Sequence, residues 1–190
     1  MELEPKSARQ RRPRGSGSTP RRGVRIGVLA DTHGYLDPTI TAMFAGVDLI
    51  LHAGDIGDSQ ILEDLEAVAP VVAVAGNLDA RDASGLPTEL TGDVAGIRFA
   101  MGHKRKRLVR RLLGDGKKFD LVVFAHDHVP SVSWVDGSLW LDPGSASAPY
   151  EEDDGPTVAV VEALPSGMGV SFIPLVRRDS RALAPSPKRD

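Results

Sequence analysis

The sequence contains no cysteine. Disulfides and thiolate metal ligands are therefore excluded, and any metal must be held by imidazole, carboxylate, amide or water. No window contains eighteen consecutive apolar residues, so we expect no membrane-spanning helix. The first residues, MELEPKSARQRRPRGSGSTPRRG, lack the apolar core of a secretory signal. These absences favour a soluble cytoplasmic protein.

The chain has 190 residues, of which 41% are hydrophobic and 26% charged, a composition that suits one globular domain. Residues 1–25 hold eight basic and two acidic side chains, so the rest of the chain has 15 basic and 24 acidic ones and a net charge of −9. We predict a disordered basic tail over 1–23, a folded domain over 24–176 and a flexible tail over 177–190. The basic tail could contact nucleic acid or another polyanion, although a solvated leader is the favoured interpretation.

Apolar runs alternate with helical patterns in the first half of the chain. Buried strands are predicted over 24–30, 47–55 and 70–77, with helices over 39–46 and 58–68 between them. Asp58 or Ser59 is a suitable N-cap for the second helix. The order strand, helix, strand, helix, strand predicts parallel pairing through right-handed crossovers.

The second half of the chain has a different pattern. A hairpin over 88–103 is predicted to turn near Gly92-Asp93, and a basic helix is predicted over 104–116. Another buried strand follows over 119–126. The segment 131–142 predicts a hairpin with Asp136-Gly137 at its turn. A last strand pair is predicted over 157–164 and 167–176, after an acidic loop.

Polar side chains follow five of the predicted strands. In α/β sheets, ligands gather outside the carboxyl ends of the strands, and a glycine there allows close approach of backbone and ligand. Any one of these groups would be read as a turn. Four of the five histidines occur here in order with acidic or amide partners, which favours a metal site. The groups are Asp31-Thr32-His33, Gly54-Asp55, Gly76-Asn77, Gly102-His103 and His126-Asp127-His128.

These five groups, in this order, resemble the signature of the calcineurin-like metallophosphoesterases. The compact length and spacing are most similar to the small bacterial and archaeal phosphodiesterase branch, and the retromer subunit of the same fold is a relative. The resemblance covers about residues 24–176. It implies an α/β fold, a single-domain four-layer α/β/β/α sandwich, with two metal ions at the strand ends.

The resemblance also implies a role for each matched residue. Asp55 would bridge the two ions, and Asp55, Asn77 and His103 would be the catalytic residues. Manganese is the expected ion, with magnesium, iron, zinc or nickel as alternatives. Such a pair generates hydroxide near neutral pH, which attacks phosphorus in line. The first metal would be held by Asp31, His33 and His128, and the second by Asn77, His103 and His126.

The sequence departs from the family pattern at four positions near the expected site. Two of them, Ala125 and Asp127, replace a glycine and a threonine and remove no ligand. Many members have a histidine after the motif asparagine, where it can protonate the leaving oxygen, and this chain has Leu78. A positioned general acid is worth about 10²–10⁴-fold in rate, so poor leaving groups should be the most affected substrates. Asp142 opens an Asp-Pro-Gly-Ser loop that usually begins with asparagine. His52, inside an apolar strand, is expected to be packed beside the site rather than to bind metal.

The basic segment KRKRLVRR over 104–111 begins directly after His103. On one α-helix, Arg107 and Arg111 would share a face, and that face could bind a phosphate-bearing substrate. A solvated helix exterior is the competing interpretation and is slightly favoured.

The leading hypothesis is a dinuclear metal-dependent phosphodiesterase that acts on small or nucleotide-type phosphoesters. Two alternatives stay open. The fold could serve as a non-catalytic protein-interaction module, as in the retromer relative, or the basic tail and helix could belong to a nuclease. The sequence does not reveal the oligomeric state.

Overall fold

The computed structural model describes residues 23–79, 85–113, 117–147 and 155–176. The predicted tails and most of the acidic loop lie outside these residues. Ten strands and three short helices are described, with a π-helical turn, Val109–Leu113, after the third helix. The helices are α1 (Thr39–Met43), α2 (Gln60–Glu66) and α3 (Arg105–Leu108). The strands are β1 (Val24–Leu29), β2 (Leu49–His52), β3 (Val71–Ala73), β4 (Glu89–Val94), β5 (Ile97–Lys104), β6 (Leu121–Ala125), β7 (Ser131–Val135), β8 (Ser138–Asp142), β9 (Thr157–Leu164) and β10 (Gly167–Pro174).

The strands form two five-stranded sheets. One has the order β10-β9-β1-β2-β3 and the other β4-β5-β6-β8-β7. Strands β1, β2 and β3 pair in parallel, as the alternation of strands and helices predicts. Strands β5, β6 and β8 are also parallel. Because parallel neighbours end at the same edge of a sheet, the loops after β1, β2 and β3 start side by side.

The two sheets face each other across the main apolar core, to which both contribute aliphatic side chains such as Ile26, Leu51, Met101 and Leu141. A second core, centred on Phe44 and Leu65, lies under α1 and α2 on the outer face of the first sheet. A third, smaller core around Leu108 and Phe124 covers part of the outer face of the second sheet. The predicted four-layer α/β/β/α sandwich is therefore confirmed, with a thin fourth layer.

Two local predictions are wrong. The 88–103 hairpin does not turn at Gly92-Asp93, because both residues belong to β4, and the strands connect through Ala95-Gly96. Asp93 supports this turn by accepting a hydrogen bond from the Gly96 amide. The basic segment is not one α-helix over 104–116 but one α-helical turn followed by the π-helical turn. Its predicted end at 114–116 lies outside the described residues.

Other local predictions are confirmed. The hairpin of β7 and β8 turns at Asp136-Gly137, where both residues have positive φ as a type I′ turn requires. Ser59 precedes α2, but its side chain makes no capping hydrogen bond, and Asp58 accepts one from the Gln60 amide instead. Among the described helices, none is both long enough and apolar enough to cross a membrane.

Candidate metal centre

The seven predicted ligands meet at the carboxyl ends of strands from both sheets. Asp31 and His33 follow β1, Asp55 follows β2, Asn77 follows β3, His103 lies near the end of β5, and His126 and His128 follow β6. Six of them form two groups, and within each group the possible ligand atoms lie within 4.8 Å of one another. The groups are Asp31 with His33 and His128, and Asp55 with His103 and His126.

In the first group, two imidazole nitrogens and one carboxylate point at the same space. His33 Nε2 and His128 Nε2 are 3.4 Å apart. Asp31 Oδ1 lies 3.3 Å from His128 Nε2 and 3.9 Å from His33 Nε2. Asp31 Oδ1 also lies 4.0 Å from His103 Nε2, so the two groups are adjacent.

The second group is arranged around His103. Its Nδ1 donates a hydrogen bond to the Ala53 carbonyl at 2.9 Å, which directs the lone pair of Nε2 in the neutral ring towards the site. Nε2 lies 3.3 Å from Asp55 Oδ2 and 3.1 Å from Asn77 Oδ1. Burial lowers the pKa of His103, but Asp55 and the charge of Asp31 outweigh burial and raise it overall. A cation is therefore favoured at the point where His103 Nε2, Asp55 Oδ2 and Asn77 Oδ1 meet.

Asp31 supplies a direct test of whether a metal ion fits the site. Its side chain is completely buried, and neither carboxylate oxygen accepts a hydrogen bond from the described residues. Burial raises the pKa of Asp31, and the nearby histidines only partly oppose that effect. A buried carboxylate without hydrogen bonds is costly unless a cation compensates it. With imidazole and amide ligands beside it, this donor set fits divalent ions such as Mn²⁺, Fe²⁺ or Zn²⁺.

The backbone of the site is held in an unusual conformation. Among the described residues, seven that are not glycine have positive φ, and five of these are predicted ligands. Such angles are uncommon for side chains larger than glycine, and they concentrate at functional sites where the surroundings hold them in place. The other two are Ala95 and Asp136, in the hairpin turns. The five ligands are Asp31, His33, Asp55, His126 and His128.

The same backbone conformation determines the orientation of the paired histidines. In extended chain, His126 and His128 would face one side and Asp127 the other. Asp127 is indeed the exposed residue of the three. However, β6 ends at Ala125, and both histidines have left-handed φ angles of 89° and 54°. A turn, not strand alternation, brings both rings into the site.

Two glycines allow the ligand loops to approach each other. A methyl group at Gly76 would overlap the Asp55 carboxylate. A methyl group at Gly54 would lie 2.7 Å from the Gly76 amide nitrogen and 3.0 Å from the Cβ of His103. The glycines that precede Asp55 and Asn77 therefore act sterically, because they leave room for neighbouring ligands.

Hydrogen bonds from residues that do not reach the ligand atoms hold the loops together. Asp79 accepts bonds from the amides of Ile56, Gly57 and Gly76, which join the loops after β2 and β3. The hydroxyls of Ser145 and Ser147 both donate to the Asp31 carbonyl. The role of Ser147 was missed, because the sequence does not show that this loop passes beside β1.

His52 lies behind the site, as predicted, and not among the ligands. The Thr32 hydroxyl donates its proton to the Ile56 carbonyl, and it therefore accepts a hydrogen bond from the Nε2–H of His52. The other ring nitrogen of His52, Nδ1, accepts a hydrogen bond from the Gly54 amide. Burial lowers the pKa of His52 to about 4, which keeps the ring neutral. His52 therefore supports the loops that contain Asp31 and Asp55.

Asp142 is a second buried acid near the centre. Its Oδ1 accepts a hydrogen bond from the Gly144 amide at 2.9 Å, which closes the Asp-Pro-Gly-Ser turn. Burial raises the pKa of Asp142 to about 7, and the negative charge of Asp31 adds to the effect. Between pH 4 and pH 7, the folded protein thus retains a proton that the unfolded chain releases, so stability falls as pH rises through this range.

Asp142→Asn is expected to remove this loss of stability. At pH 8, the metal-free variant should be more stable than the wild type by up to about 4 kcal/mol, whereas near pH 4 the two should differ little. Urea unfolding in the presence of a chelator at both pH values measures the difference. Asp136→Asn, at the exposed turn of the β7–β8 hairpin, is the matched control. If Asp142→Asn is no more stable than the wild type at pH 8, the pKa of Asp142 is not raised.

A two-sheet α/β sandwich with carboxylate, imidazole and amide ligands at the strand ends defines a class of metal-dependent hydrolases. The family model described as the calcineurin-like phosphoesterase superfamily domain matches residues 24–164. The chain belongs to this superfamily. A similar relative is a probable metallophosphoesterase of Methanocaldococcus jannaschii, 36% identical over 135 residues that make up 65% of this chain and 69% of that protein.

Solved structures of similar fold include proteins of different function. One is described as a novel archaeal phosphodiesterase, with 19% identity, a TM-score of 0.64, and coverage of 79% of this chain and 100% of that one. Another is vacuolar protein sorting 29 from Cryptosporidium parvum, with 19% identity, a TM-score of 0.66, and coverage of 82% and 93%. At these identities, the similarity establishes the fold.

Proposed function

We propose that the chain is a dinuclear metal-dependent phosphodiesterase that hydrolyses small or nucleotide-type phosphodiesters in the cytoplasm. The observation that carries the proposal is the environment of Asp31. Its side chain is completely buried among imidazole nitrogens, and neither of its oxygens accepts a hydrogen bond from the described residues. Such a buried carboxylate is costly unless a cation compensates its charge or it takes up a proton. The second group of ligands, adjacent to it through His103, supports a two-ion site.

Each residue of the centre has a binding or positioning role in this proposal. Asp31, His33 and His128 would hold one ion, and Asn77, His103 and His126 the other, with Asp55 shared between them. When bound, two divalent ions would supply a nucleophile from water near neutral pH and would stabilise charge on the phosphoryl oxygens. Manganese is the proposed ion, with magnesium, iron, zinc or nickel as alternatives. Ala53 fixes the His103 tautomer by accepting its Nδ1 proton.

Asp55 is held so that its two oxygens have separate tasks. Its Oδ1 accepts the Leu78 amide at 2.8 Å, whereas Oδ2 faces His103 Nε2. Burial raises the pKa of Asp55, but the contact with the protonated form of His103 and the hydrogen bond from the Leu78 amide outweigh burial and lower it overall. The group is therefore ionised at neutral pH and ready to bind a cation. Leu78 contributes only its backbone, and its side chain is 67% exposed.

Two observations support the proposed preference of the enzyme for diesters. Position 78 has a leucine and no general acid, and an archaeal phosphodiesterase has the same fold. Without a positioned acid, substrates with good leaving groups should react best. The basic tail could add a weak polyanion contact, which keeps a nuclease among the alternatives. The likeness to vacuolar protein sorting 29 favours a second candidate, a protein-interaction module. Intact ligands at all seven positions favour catalysis.

The proposal is tested by stripping the protein of metal, adding Mn²⁺, and assaying bis(p-nitrophenyl) phosphate beside p-nitrophenyl phosphate. We expect Mn²⁺-dependent turnover of the diester with a higher kcat/KM than for the monoester. Asp55→Asn should lower diester turnover by about 10³-fold or more, because an amide lacks the negative charge and the second oxygen of the shared carboxylate. Asp58→Asn, an exposed acid three residues on, is the control.

Two outcomes would count against this function. If neither ester is hydrolysed with any of the divalent ions, the interaction module becomes the better candidate. If Asp55→Asn or His126→Ala retains wild-type turnover, the chemistry occurs elsewhere on the chain.

A further inference from the structure

A cavity of about 240 Å³ opens beside the second group of ligands. Asn77 and His103 form part of its wall, so it is continuous with the metal centre. Thr88, Lys104 and Arg107 also line it, and none of these three belongs to the predicted ligand set. Pockets that enclose a whole small-molecule ligand usually measure about 300–1,000 Å³. This one is large enough for a single substituent of a substrate whose reacting phosphate lies at the metal centre.

Lys104 provides a positive charge that is not neutralised by any partner among the described residues. Its side chain is exposed, and it follows His103 directly on β5. The register between β5 and β6 shifts between Met101 and Lys104, where β5 has one more residue than its partner. Bulges of this kind redirect side chains beside active sites.

Arg107 gives the cavity a second cation, held in a fixed position. Its Nε donates to Glu89 Oε1 in an ion pair, and its second terminal nitrogen donates to Thr88 Oγ1 at 3.0 Å. Glu89 balances the charge of Arg107 but occupies only one of its five N–H donors. The cavity therefore has the net charge of Lys104, together with fixed donors from the guanidinium. Arg111, the other predicted substrate-binding arginine, does not line the cavity and is exposed.

We propose that this cavity binds a second anionic group of the substrate. The phosphodiester group reacts at the metal centre, and a separate phosphate on the alcohol part of the same molecule lies in the cavity. The inference rests on the proposed function and narrows the substrate class to phosphodiesters that have a second phosphate group, such as a nucleoside 5′-phosphodiester with a 3′-phosphate. A planar donor fork next to an ammonium group is a common way of recognising phosphate in proteins. Lys104 sets the charge of the cavity, and Arg107, fixed by Glu89 and Thr88, orients the group.

Binding tests this inference without turnover. Thymidine 3′,5′-bisphosphate and thymidine 5′-monophosphate are titrated calorimetrically into the Mn²⁺-loaded protein. We expect the bisphosphate to bind about tenfold more tightly, because it adds one charge-assisted contact. Lys104→Met should reduce this ratio to about one, and Lys104→Arg should retain most of it. Lys106→Met, an exposed lysine that does not line the cavity, should leave the ratio unchanged. Equal binding of both ligands by the wild type, or a ratio unaffected by Lys104→Met, would overturn the inference.

Turnover separates this inference from the proposed function. Thymidine 5′-(p-nitrophenyl phosphate) is assayed beside the same ester with a 3′-phosphate. We expect kcat/KM to be about tenfold higher for the phosphorylated ester, and Lys104→Met to abolish that preference. If both esters are hydrolysed at equal kcat/KM, the cavity does not bind the second phosphate, but the proposed phosphodiesterase activity stands. If neither ester is hydrolysed but the bisphosphate binds in a way that depends on Lys104, the proposed phosphodiesterase activity is wrong and the anion-binding cavity stands.

Discussion

Asp31→Asn is expected to abolish metal-dependent hydrolysis and, at the same time, to make the metal-free protein more stable. The wild-type carboxylate is buried without a hydrogen-bond donor from the described residues, and its burial raises its pKa. A neutral amide removes the buried charge and can donate to His128 Nε2, which lies 3.3 Å from Asp31 Oδ1. An unsatisfied buried group costs about 1–3 kcal/mol, so the free energy of unfolding should rise by about that amount.

The two effects of this substitution are measured separately. Urea unfolding in a chelator gives the stability of the metal-free protein, and repeating it with Mn²⁺ gives the stabilisation due to the ion. Wild-type protein should gain stability from Mn²⁺, whereas Asp31→Asn should gain little, because it lacks a charged ligand. Asp64→Asn, an exposed acid on α2, is the matched control. A variant that is less stable without metal, or that retains the Mn²⁺ effect, would show that Asp31 is a structural residue.

Leu78→His is expected to raise the hydrolysis of diesters that have a poor leaving group. Leu78 follows Asn77 directly, and its amide already binds Asp55, so a side chain at this position begins beside the centre. Its present side chain is 67% exposed, and its replacement should cost little packing energy. A positioned acid contributes about 10²–10⁴-fold, and an engineered one that is imperfectly placed should supply about 10–100-fold.

The substrate comparison isolates the effect of the acid. Thymidylyl-(3′→5′)-thymidine has an alkyl leaving group, which needs a proton, whereas bis(p-nitrophenyl) phosphate has an aryl one, which does not. Leu78→His should raise the rate of hydrolysis of the dinucleotide, and the increase with the aryl diester should stay below about threefold. Leu78→Gln is the control for polarity without a titrating group. An equal gain for both substrates, or a gain with glutamine, would contradict the idea that an acid is missing at this position.

The position of the metal centre could be predicted from the sequence because the ligands follow predictable strands. Asp31, Asp55 and Asn77 each come shortly after an apolar run, and parallel strands end at one edge of a sheet. His126 and His128 follow a strand of the second sheet, and their arrival at the same place depends on how the sheets face each other. The resemblance to the family provided that step, because no local pattern specifies how two sheets pack.

The remaining details depend on backbone angles and on contacts between distant segments. Positive φ at Asp31 and His126 has no local signal, because neither residue type requires it and the surrounding loops impose it. The π-helical turn after α3 separates Arg107 from Arg111, which a regular helix would have placed on one face. Lys104 was overlooked as a cavity residue because the shift between β5 and β6 becomes visible only when the two strands are paired.

Metal stoichiometry is the most direct test of the proposed centre. Chelator-treated protein is titrated with Mn²⁺ by calorimetry, and the bound metal is then counted by elemental analysis after gel filtration. Two ions per chain are predicted for the wild type. His128→Ala and His103→Ala should each impair a different site, because these residues belong to the two separate ligand groups. Retention of no metal by the wild-type protein would contradict the metal centre, and one ion per chain would contradict its dinuclear form.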